Sequence, residues 1–243
     1  MKIIFAPAKE MRIDKLSTDK PLYSATTQAI IQTLQAQSDD QLKKLYKISD
    51  QQVLQVKDYI RHLNTGPAYQ ALDLYNGLAF RQIDVDLADI AISSYLDQHF
   101  RILSALYGPV KATDPIRPYR LDFNTPLKVN GQNLRHLWGS DFNDFFEKEE
   151  IILNLASQEF SAMLDKDRYT WIDFEFYEYD VTKANGIKKH ATISKKGRGK
   201  MLQFLAENQI RDIAAIKEFC SDGYQFDSER SSDRKIVFIK LKN

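Results

Sequence analysis

Short apolar runs alternate with helical patterns along this chain. Runs of strand length cover residues 2–6, 101–105 and 151–156, and a last one covers residues 235–241. Continuous apolar runs that lie between helices are typical of strands covered on both faces. The pattern therefore predicts an α/β fold in which helices cover a sheet.

Two helices are predicted close together, at residues 41–47 and 50–63. In the second, apolar residues repeat at spacings of three, four and three, which gives the helix one apolar face. These residues are Val53, Val56, Ile60 and Leu63. Ser49 is the expected N-cap, and Gln52 three residues later completes a capping box.

The second half of the chain continues with a helix at 158–164 and a strand in which Ile172, Phe174 and Phe176 alternate with polar residues. This alternation predicts a strand with one face to water. Asn185-Gly186 is a strong two-residue hairpin signal and predicts a returning strand as far as about residue 194.

A helix is then expected at 199–208. Its inward-facing residues are Met201, Phe204 and Leu205.

Composition fits one compact domain over residues 1–243. Hydrophobic residues make up 43% of the chain and aromatic residues 12%, which is enough for a packed core. No linker, repeat or low-complexity tract divides the chain. A single cysteine, Cys220, excludes an intrachain disulfide and fits a reducing compartment. The first apolar run is too short for a signal peptide, so we expect a cytoplasmic protein with no membrane partner.

Charge is distributed unevenly, although the formal net charge is only +1. No acidic residue occurs between Asp180 and Glu207, a stretch that contains seven lysines and arginines. Segregated charge creates a local positive potential that attracts polyanions. The basic residues are Lys183, Lys188, Lys189, Lys195, Lys196, Arg198 and Lys200. The alternative is an ordinary solvated basic loop.

The segment 194–200 is the strongest anion-site candidate in this run. We expect it where a strand passes into a helix, since a helix start offers free amide groups and a positive dipole end. Its two glycines would let the backbone approach an anion. The candidate ligands are Lys195, Lys196, Arg198 and Lys200. The spacing of a Walker A loop is absent.

A second basic segment follows the strand at 101–105. Pro115 and Pro118 stiffen the chain and hold Arg117 and Arg120 on an extended path. The alternative is a rigid loop in which Asp114 pairs with one of these arginines.

Several polar residues lie at or just beyond predicted strand ends, where ligands gather in open α/β sheets. We expect these residues to line one cleft, although a cap or turn role is the alternative for each. They are Lys9, Ser104, Tyr107, Asn154, Ser157 and Glu159.

The paired helices offer a further interface, because a short turn flanked by lysines can contact nucleic-acid backbone. The turn contains no glycine, which favours a plain helical hairpin. No metal site or cofactor is predicted, since the four histidines and Cys220 show no ligand spacing.

Ordered motifs along nearly the whole chain resemble the YaaA family of peroxide-stress proteins. They include Pro7-Ala8-Lys9, Tyr75-Asn76-Gly77-Leu78, the segments 103–108 and 114–121, Leu137-Trp138, the segment 154–160, the segment 195–201 and Gly223-Tyr224. In this chain Gly197 replaces a frequent alanine of the family.

The resemblance implies a bacterial cytosolic protein that gives resistance to hydrogen peroxide, limits free iron and protects DNA. It also implies a mixed α/β fold, a helix-hairpin-helix-like element and a positively charged DNA-binding cleft.

Two hypotheses follow. In the first, Lys9, the two arginines of the proline segment and the basic run bind DNA phosphates with little sequence preference. In the second, the same cations hold a phosphorylated or nucleotide-like small molecule, and Tyr107, Ser157 or Glu159 transfers protons. Direct iron binding has little support from residue spacing, so any effect on iron is expected to be indirect.

Overall fold

The computed structural model describes residues 1–139, 141–180, 182 and 186–241. Within them the strands are β1 (Lys2–Phe5), β2 (Tyr69–Gln70), β3 (Phe100–Ser104), β4 (Gly108–Val110), β5 (Pro115–Ile116), β6 (Lys128–Val129), β7 (Gln132–Asn133), β8 (Ile151–Leu155), β9 (Thr170–Tyr179), β10 (Ile187–Lys188), β11 (Tyr224–Phe226) and β12 (Lys235–Lys240). The helices are α1 (Ala25–Gln35), α2 (Asp39–Tyr46), α3 (Asp50–His62), α4 (Ala71–Leu74), α5 (Ile90–His99), α6 (Leu134–Trp138), α7 (Asp141–Asp144), α8 (Gln158–Ser161), α9 (Ala191–Glu207) and α10 (Ile213–Ile216). Three 3-10 turns lie at Phe80–Gln82, Lys166–Arg168 and Ser221–Gly223.

One mixed sheet organises the molecule as a single α/β domain. Its strand order is β11-β12-β9-β8-β1-β3-β4, and β10 pairs with the end of β9. The five central strands, β12, β9, β8, β1 and β3, are mutually parallel. The outer strands β11 and β4 and the short β10 are antiparallel to their partners.

The central strands are buried as their apolar sequences predict. Ile3 and Ile4 of β1 are fully buried, as are Ile102 and Leu103 of β3. In β9 the alternation also holds, because Phe174 and Phe176 are buried and the polar residues between them are half exposed.

Strand order reverses at β1. The chain passes from β1 to its neighbour β3 on one side, whereas β8 lies on the other side and leads on to β9 and β12. Crevices form outside the carboxyl ends of strands at such a reversal. The fold therefore places the ends of β1 and β8 beside a natural ligand position.

Most predicted elements are confirmed to within two residues. The helix pair is α2 and α3, with the capping box of Ser49 and Gln52 present in α3. The helix predicted at 158–164 is shorter, since α8 ends at Ser161 and the chain continues as turns. Asn185 of the predicted hairpin turn and Lys183 of the basic run lie outside the described residues.

The prediction for the segment 194–200 is wrong in one respect. The returning strand β10 ends at Lys188, and α9 begins at Ala191, eight residues before the predicted start at residue 199. The segment therefore lies inside a helix and not at a strand-to-helix junction, so the argument from free amide groups at a helix start does not apply to it.

Tertiary packing explains why glycines occur inside α9. A Cβ on Gly197 would lie 2.2 Å from Cγ of Phe176, and a Cβ on Gly199 would lie 2.1 Å from the carbonyl oxygen of Ala79. Glycine weakens a helix by about 1 kcal/mol relative to alanine. Here it permits close contact with β9 and with the segment before the first 3-10 turn. The glycines thus serve packing and not approach to an anion.

The amide groups of Lys47, Ile48 and Ser49, between α2 and α3, all have acceptors within the protein. Lys47 is left-handed with φ 52°, and its N–H bonds to the carbonyl of Lys43. The N–H of Ile48 also bonds to the carbonyl of Lys43, at 3.3 Å. The N–H of Ser49 donates to the side chain of Gln52.

Acidic neighbours also neutralise lysines of this pair. Lys43 forms an ion pair with Asp50, and Lys57 pairs with Asp39 at 2.5 Å. These contacts favour the plain helical hairpin over a DNA-binding helix-hairpin-helix, which the structure does not show.

Candidate functional site

A cleft of about 400 Å³ lies beyond the carboxyl ends of β1 and β8. Five separate segments line it, and together they bring charged residues over a largely apolar base. The lining segments are 5–10, 77–81, 119–122, 155–160 and part of α9 that contributes Lys195 and Arg198. A cavity of this volume is at the lower end of the roughly 300–1,000 Å³ that is typical for small-molecule sites.

One wall is a close pairing of the segment after β1 with the segment after α4. The N–H of Asn76 donates to the carbonyl of Glu10 at 2.9 Å. A Cβ on Gly77 would lie 2.7 Å from Cβ of Ala8. Glycine at this position thus lets the two segments approach and close one side of the cleft.

A buried tyrosine fixes the opposite wall. The hydroxyl of Tyr119 lies 2.8 Å from Oγ of Ser104 and 2.7 Å from the hydroxyl of Tyr75. Burial raises the pKa of Tyr119 to about 12, so the hydroxyl is neutral at physiological pH. Anchoring of Tyr119 positions the adjacent Arg120 and Asp122 in the cleft.

Two of the lining cations have acidic partners. Nζ of Lys9 lies 3.0 Å from Asp122, and the guanidinium of Arg81 lies 2.6 Å from Glu10. Lys9, Arg81 and Glu10 are exposed and Asp122 is half-buried. Ion pairs with exposed members are weak and easily exchanged.

The other three lining cations are without an acidic partner. Within residues 1–139, 141–180, 182 and 186–241, no ion pair is formed by Arg120, Lys195 or Arg198. Lys195 is exposed, whereas the two arginines are half-buried. Three unpaired positive charges in one cleft favour an anionic ligand.

Arg198 is the most unusual of these cations. Its Nε is buried and has no hydrogen-bond partner among the described residues, and burial lowers the pKa of its guanidinium. Asp173 is the acid that acts on it electrostatically, but Asp173 already accepts hydrogen bonds from Asn154, Trp171 and Lys166. A buried donor without an acceptor is costly, so this arginine is held at an energetic cost to the fold.

Glu159 is a half-buried acid of the cleft lining. Its Oε1 accepts a hydrogen bond from the N–H of Asn124 at 3.2 Å. Burial, followed by the negative charge of Asp122, raises the pKa of Glu159, while the Asn124 bond, Lys9 and Arg135 oppose the rise. A half-buried carboxyl with a raised pKa is suited to proton transfer or to hydrogen bonding with a ligand.

Of the sequence-predicted residues, the cleft collects Lys9, Arg120, Ser157, Glu159, Lys195 and Arg198. Residues far apart in the chain therefore converge as the strand-end argument predicts.

Arg117 and Tyr107 have structural contacts outside the cleft. Arg117 is buried and donates to the carbonyls of Gly66 and Leu63 and to the hydroxyl of Tyr23. The hydroxyl of Tyr107 donates to the carbonyl of Arg117 at 3.0 Å. The arginine thus ties the proline segment to the end of α3.

Ser104 and Asn154 shape the turns after their strands. Oγ of Ser104 accepts from the N–H groups of Leu106 and Tyr107, at 3.1 and 3.0 Å. Oδ1 of Asn154 accepts from the N–H of Ala156 at 3.0 Å. Both are therefore turn-forming residues, which was the alternative at the level of sequence.

Other predicted contacts are also arranged differently. Asp114 accepts from the N–H of Lys111 at 2.8 Å and pairs with neither nearby arginine. Lys196 and Lys200, four residues apart on α9, share a face of the helix away from the cleft lining. They lie beside the cleft and not in it.

Sequence reasoning missed three charged residues of the cleft, namely Glu10, Arg81 and Asp122. Glu10 directly follows Lys9 and Asp122 lies two residues after Arg120, so position offered a signal for both. Nothing in the pattern around Arg81 distinguishes it from other surface arginines.

No group of three or more histidine, cysteine, aspartate and glutamate side chains is arranged for a metal ion in the described part of the chain. Its helices also include none with the length and apolar character needed to span a bilayer.

The fold and cleft define a single-domain mixed α/β protein with a cleft at a strand-order reversal, whose lining includes five lysines and arginines. Residues 1–230 match the model of the family described as peroxide stress protein YaaA. The chain belongs to this family. It is 35% identical over 243 residues to UPF0246 proteins of Streptococcus pneumoniae, among them those of strains JJA and CGSP14, with 99% of each chain covered.

Proposed function

We propose that the protein acts in the cytoplasm during peroxide stress by binding DNA through this cleft, with little sequence preference. The observation that carries the proposal is the convergence of Arg120, Lys195 and Arg198, which have no acidic partner among the described residues. Any lowering of free iron follows indirectly from this protective role.

Phosphate binding by these cations has a defined physical signature. Neutralising phosphates releases condensed counterions, so affinity falls with salt by a log–log slope of about −0.9 for each phosphate on duplex DNA. Three contacts predict a slope of about −2.7. Lys196 and Lys200 on the adjacent face of α9 would extend the positive surface along the backbone and steepen the slope.

The test is a fluorescence-anisotropy titration of labelled duplex DNA at several salt concentrations. Replacing Lys195, Lys196 and Arg198 together with alanine should weaken binding and flatten the salt slope. The matched control replaces Lys43, Lys44 and Lys47 of the helical hairpin with alanine, and this variant should bind like the unmodified protein. Unchanged affinity in the α9 variant, or loss confined to the hairpin variant, would place the interface elsewhere.

A second candidate function is an enzyme that acts on a phosphorylated or nucleotide-like small molecule. The cavity volume of about 400 Å³ and the raised pKa of Glu159 favour it. Turnover of phosphorylated compounds should then be lost in Glu159→Gln while DNA binding persists. If no turnover is detected with the unmodified protein over a broad set of phosphate esters, this candidate fails.

A further inference from the structure

The cleft combines two surfaces of different chemistry. Its base includes Phe80, Leu121, Leu155 and Phe160, each no more than 6% exposed. Its lining also includes Arg120, Lys195 and Arg198, which have no acidic partner among the described residues. A ligand that fills both must have an apolar or planar part joined to an anionic group.

Volume restricts the ligand further. A cavity of about 400 Å³ holds one small molecule, and it cannot enclose the cross-section of a duplex. The duplex of the proposed function would therefore lie across the rim, and only a single nucleotide unit could enter. Binding of a duplex across the rim would therefore leave the interior of the cavity without a ligand.

Charge indicates a phosphate monoester in preference to an internal phosphodiester. A monoester carries nearly two negative charges at neutral pH, as protein phosphate esters do, whereas each phosphate within a strand carries one. Arg120, Lys195 and Arg198 supply three positive charges around one small cavity, and none of them has an acidic partner in the described part of the chain. Arginine binds phosphate oxygens through paired donors, and two of these three cations of the cavity lining, Arg120 and Arg198, are arginines.

Glu159 supplies the polar contact for the other end of the ligand. Its carboxyl lines the same cavity and makes one hydrogen bond, to the N–H of Asn124. A carboxylate accepts hydrogen bonds at both oxygens. The ring N–H and amino groups at the edge of a nucleobase are suitable donors.

We propose that the cleft is a binding site for one nucleoside 5′-phosphate unit, with the phosphate at Arg198, Lys195 and Arg120 and the base over the apolar floor beside Glu159. This inference rests on the proposed function and deepens it. The unit has two sources, a free nucleoside monophosphate or the 5′-phosphorylated end of a DNA strand.

Isothermal titration separates the parts of the ligand. Adenosine 5′-monophosphate should bind at least tenfold more tightly than ribose 5-phosphate, adenosine or inorganic phosphate, because only the nucleotide fills both surfaces. Equal affinity for the nucleotide and inorganic phosphate would overturn the inference.

Oligonucleotides separate the sources. If the strand end is the ligand, a 5′-phosphorylated single strand should bind at least tenfold more tightly than the same strand with a 5′-hydroxyl, and adenosine 5′-monophosphate should remove the difference. If the free nucleotide is the ligand, adenosine 5′-monophosphate should bind and the two strands should have equal affinities. Both results support the site, whereas failure of nucleotide and phosphorylated end alike overturns it.

Variants connect the binding to the cavity. Ser157→Trp fills the cleft without changing charge, so it should abolish nucleotide binding. Lys44→Ala in α2, which does not line the cleft, is the control and should bind nucleotide normally. The competition between adenosine 5′-monophosphate and the phosphorylated strand uses the unmodified protein. It therefore still tests the site if Ser157→Trp misfolds.

These results separate the two proposals. Salt-dependent duplex binding without nucleotide binding overturns this inference and leaves DNA binding intact. Nucleotide binding without any DNA binding supports the site and overturns the proposed DNA function.

Discussion

Packing of α9 against the sheet makes a prediction about Gly197→Ala. In an open helix this change would stabilise by about 1 kcal/mol, because alanine is the better helix former. Here the new Cβ would lie 2.2 Å from Cγ and 2.4 Å from Cδ1 of Phe176. Phe176 is fully buried, stacks on Phe238 and meets Tyr224 edge to face, so its ring has little room to move.

The magnitude follows from the two opposed terms. Overpacking a core usually costs about 1–3 kcal/mol, as side chains leave their rotamers or the backbone shifts. Subtracting the helix gain of about 1 kcal/mol leaves a net loss of about 0–2 kcal/mol. Gly199→Ala should cost more than Gly197→Ala, because its Cβ would meet the backbone oxygen of Ala79 at 2.1 Å.

Urea unfolding measures these free energies. The control is Lys196→Ala, an exposed position on the same helix, and its free energy of unfolding should lie within about 0.5 kcal/mol of that of the unmodified protein. Phe176→Leu removes ring atoms from the contact. The double variant with Gly197→Ala should therefore be more stable than the sum of the single changes predicts, by at least about 0.5 kcal/mol. Two results would refute the close contact. One is a Gly197→Ala protein that gains the whole helix-propensity free energy of about 1 kcal/mol. The other is a double variant whose free energy of unfolding equals the sum of the single changes.

Three further changes test residues in or beside the cleft. Glu159→Gln should raise the thermal midpoint at pH 7, because a raised folded-state pKa means that the ionised carboxyl weakens the fold. The gain should vanish below about pH 4, where the carboxyl is protonated in the unfolded state as well as in the folded state. Asp173→Asn should lower the thermal midpoint at pH 7. Burial raises the pKa of Asp173, but hydrogen bonds from Asn154, Trp171 and Lys166 outweigh burial and lower it, so the ionised carboxylate stabilises the fold. The difference in midpoint from the unmodified protein should become smaller as acid protonates the native carboxylate. Tyr119→Phe should cost about 1–3 kcal/mol in urea unfolding, because buried hydroxyl partners lose their hydrogen bonds. Equal pH profiles for both carboxyl variants, or an unchanged midpoint for Tyr119→Phe, would contradict these assignments.

Local pattern was sufficient for the five central strands and for the helix pair. Apolar runs around Ile4, Ile102 and Leu153 become buried parallel strands, because a strand covered on both faces needs a continuous apolar sequence. The capping box of Ser49 and Gln52 fixed the start of α3, since its hydrogen bonds join residues only three apart.

The candidate site was predictable where it depends on position at strand ends. Lys9 follows β1, and Ser157 and Glu159 follow β8, so parallel pairing of those strands was enough to bring them together. Arg117 did not follow this logic, because its contacts are with Gly66 and other residues whose proximity local sequence does not encode.

By itself, the sequence determined the α/β class, the strand and helix patterns, the family and the excess of cations in two segments. Only the tertiary structure decided that Gly197 and Gly199 lie inside a helix and that Lys195 and Arg198 turn to the cleft while Lys196 and Lys200 do not. The reason is physical, because helix propensity and hydrophobic periodicity act between residues that are near neighbours in the chain. The exclusion of a Cβ by Phe176 or Ala79 depends on atoms that folding brings from distant parts of the chain. The same is true of which cations find an acidic partner.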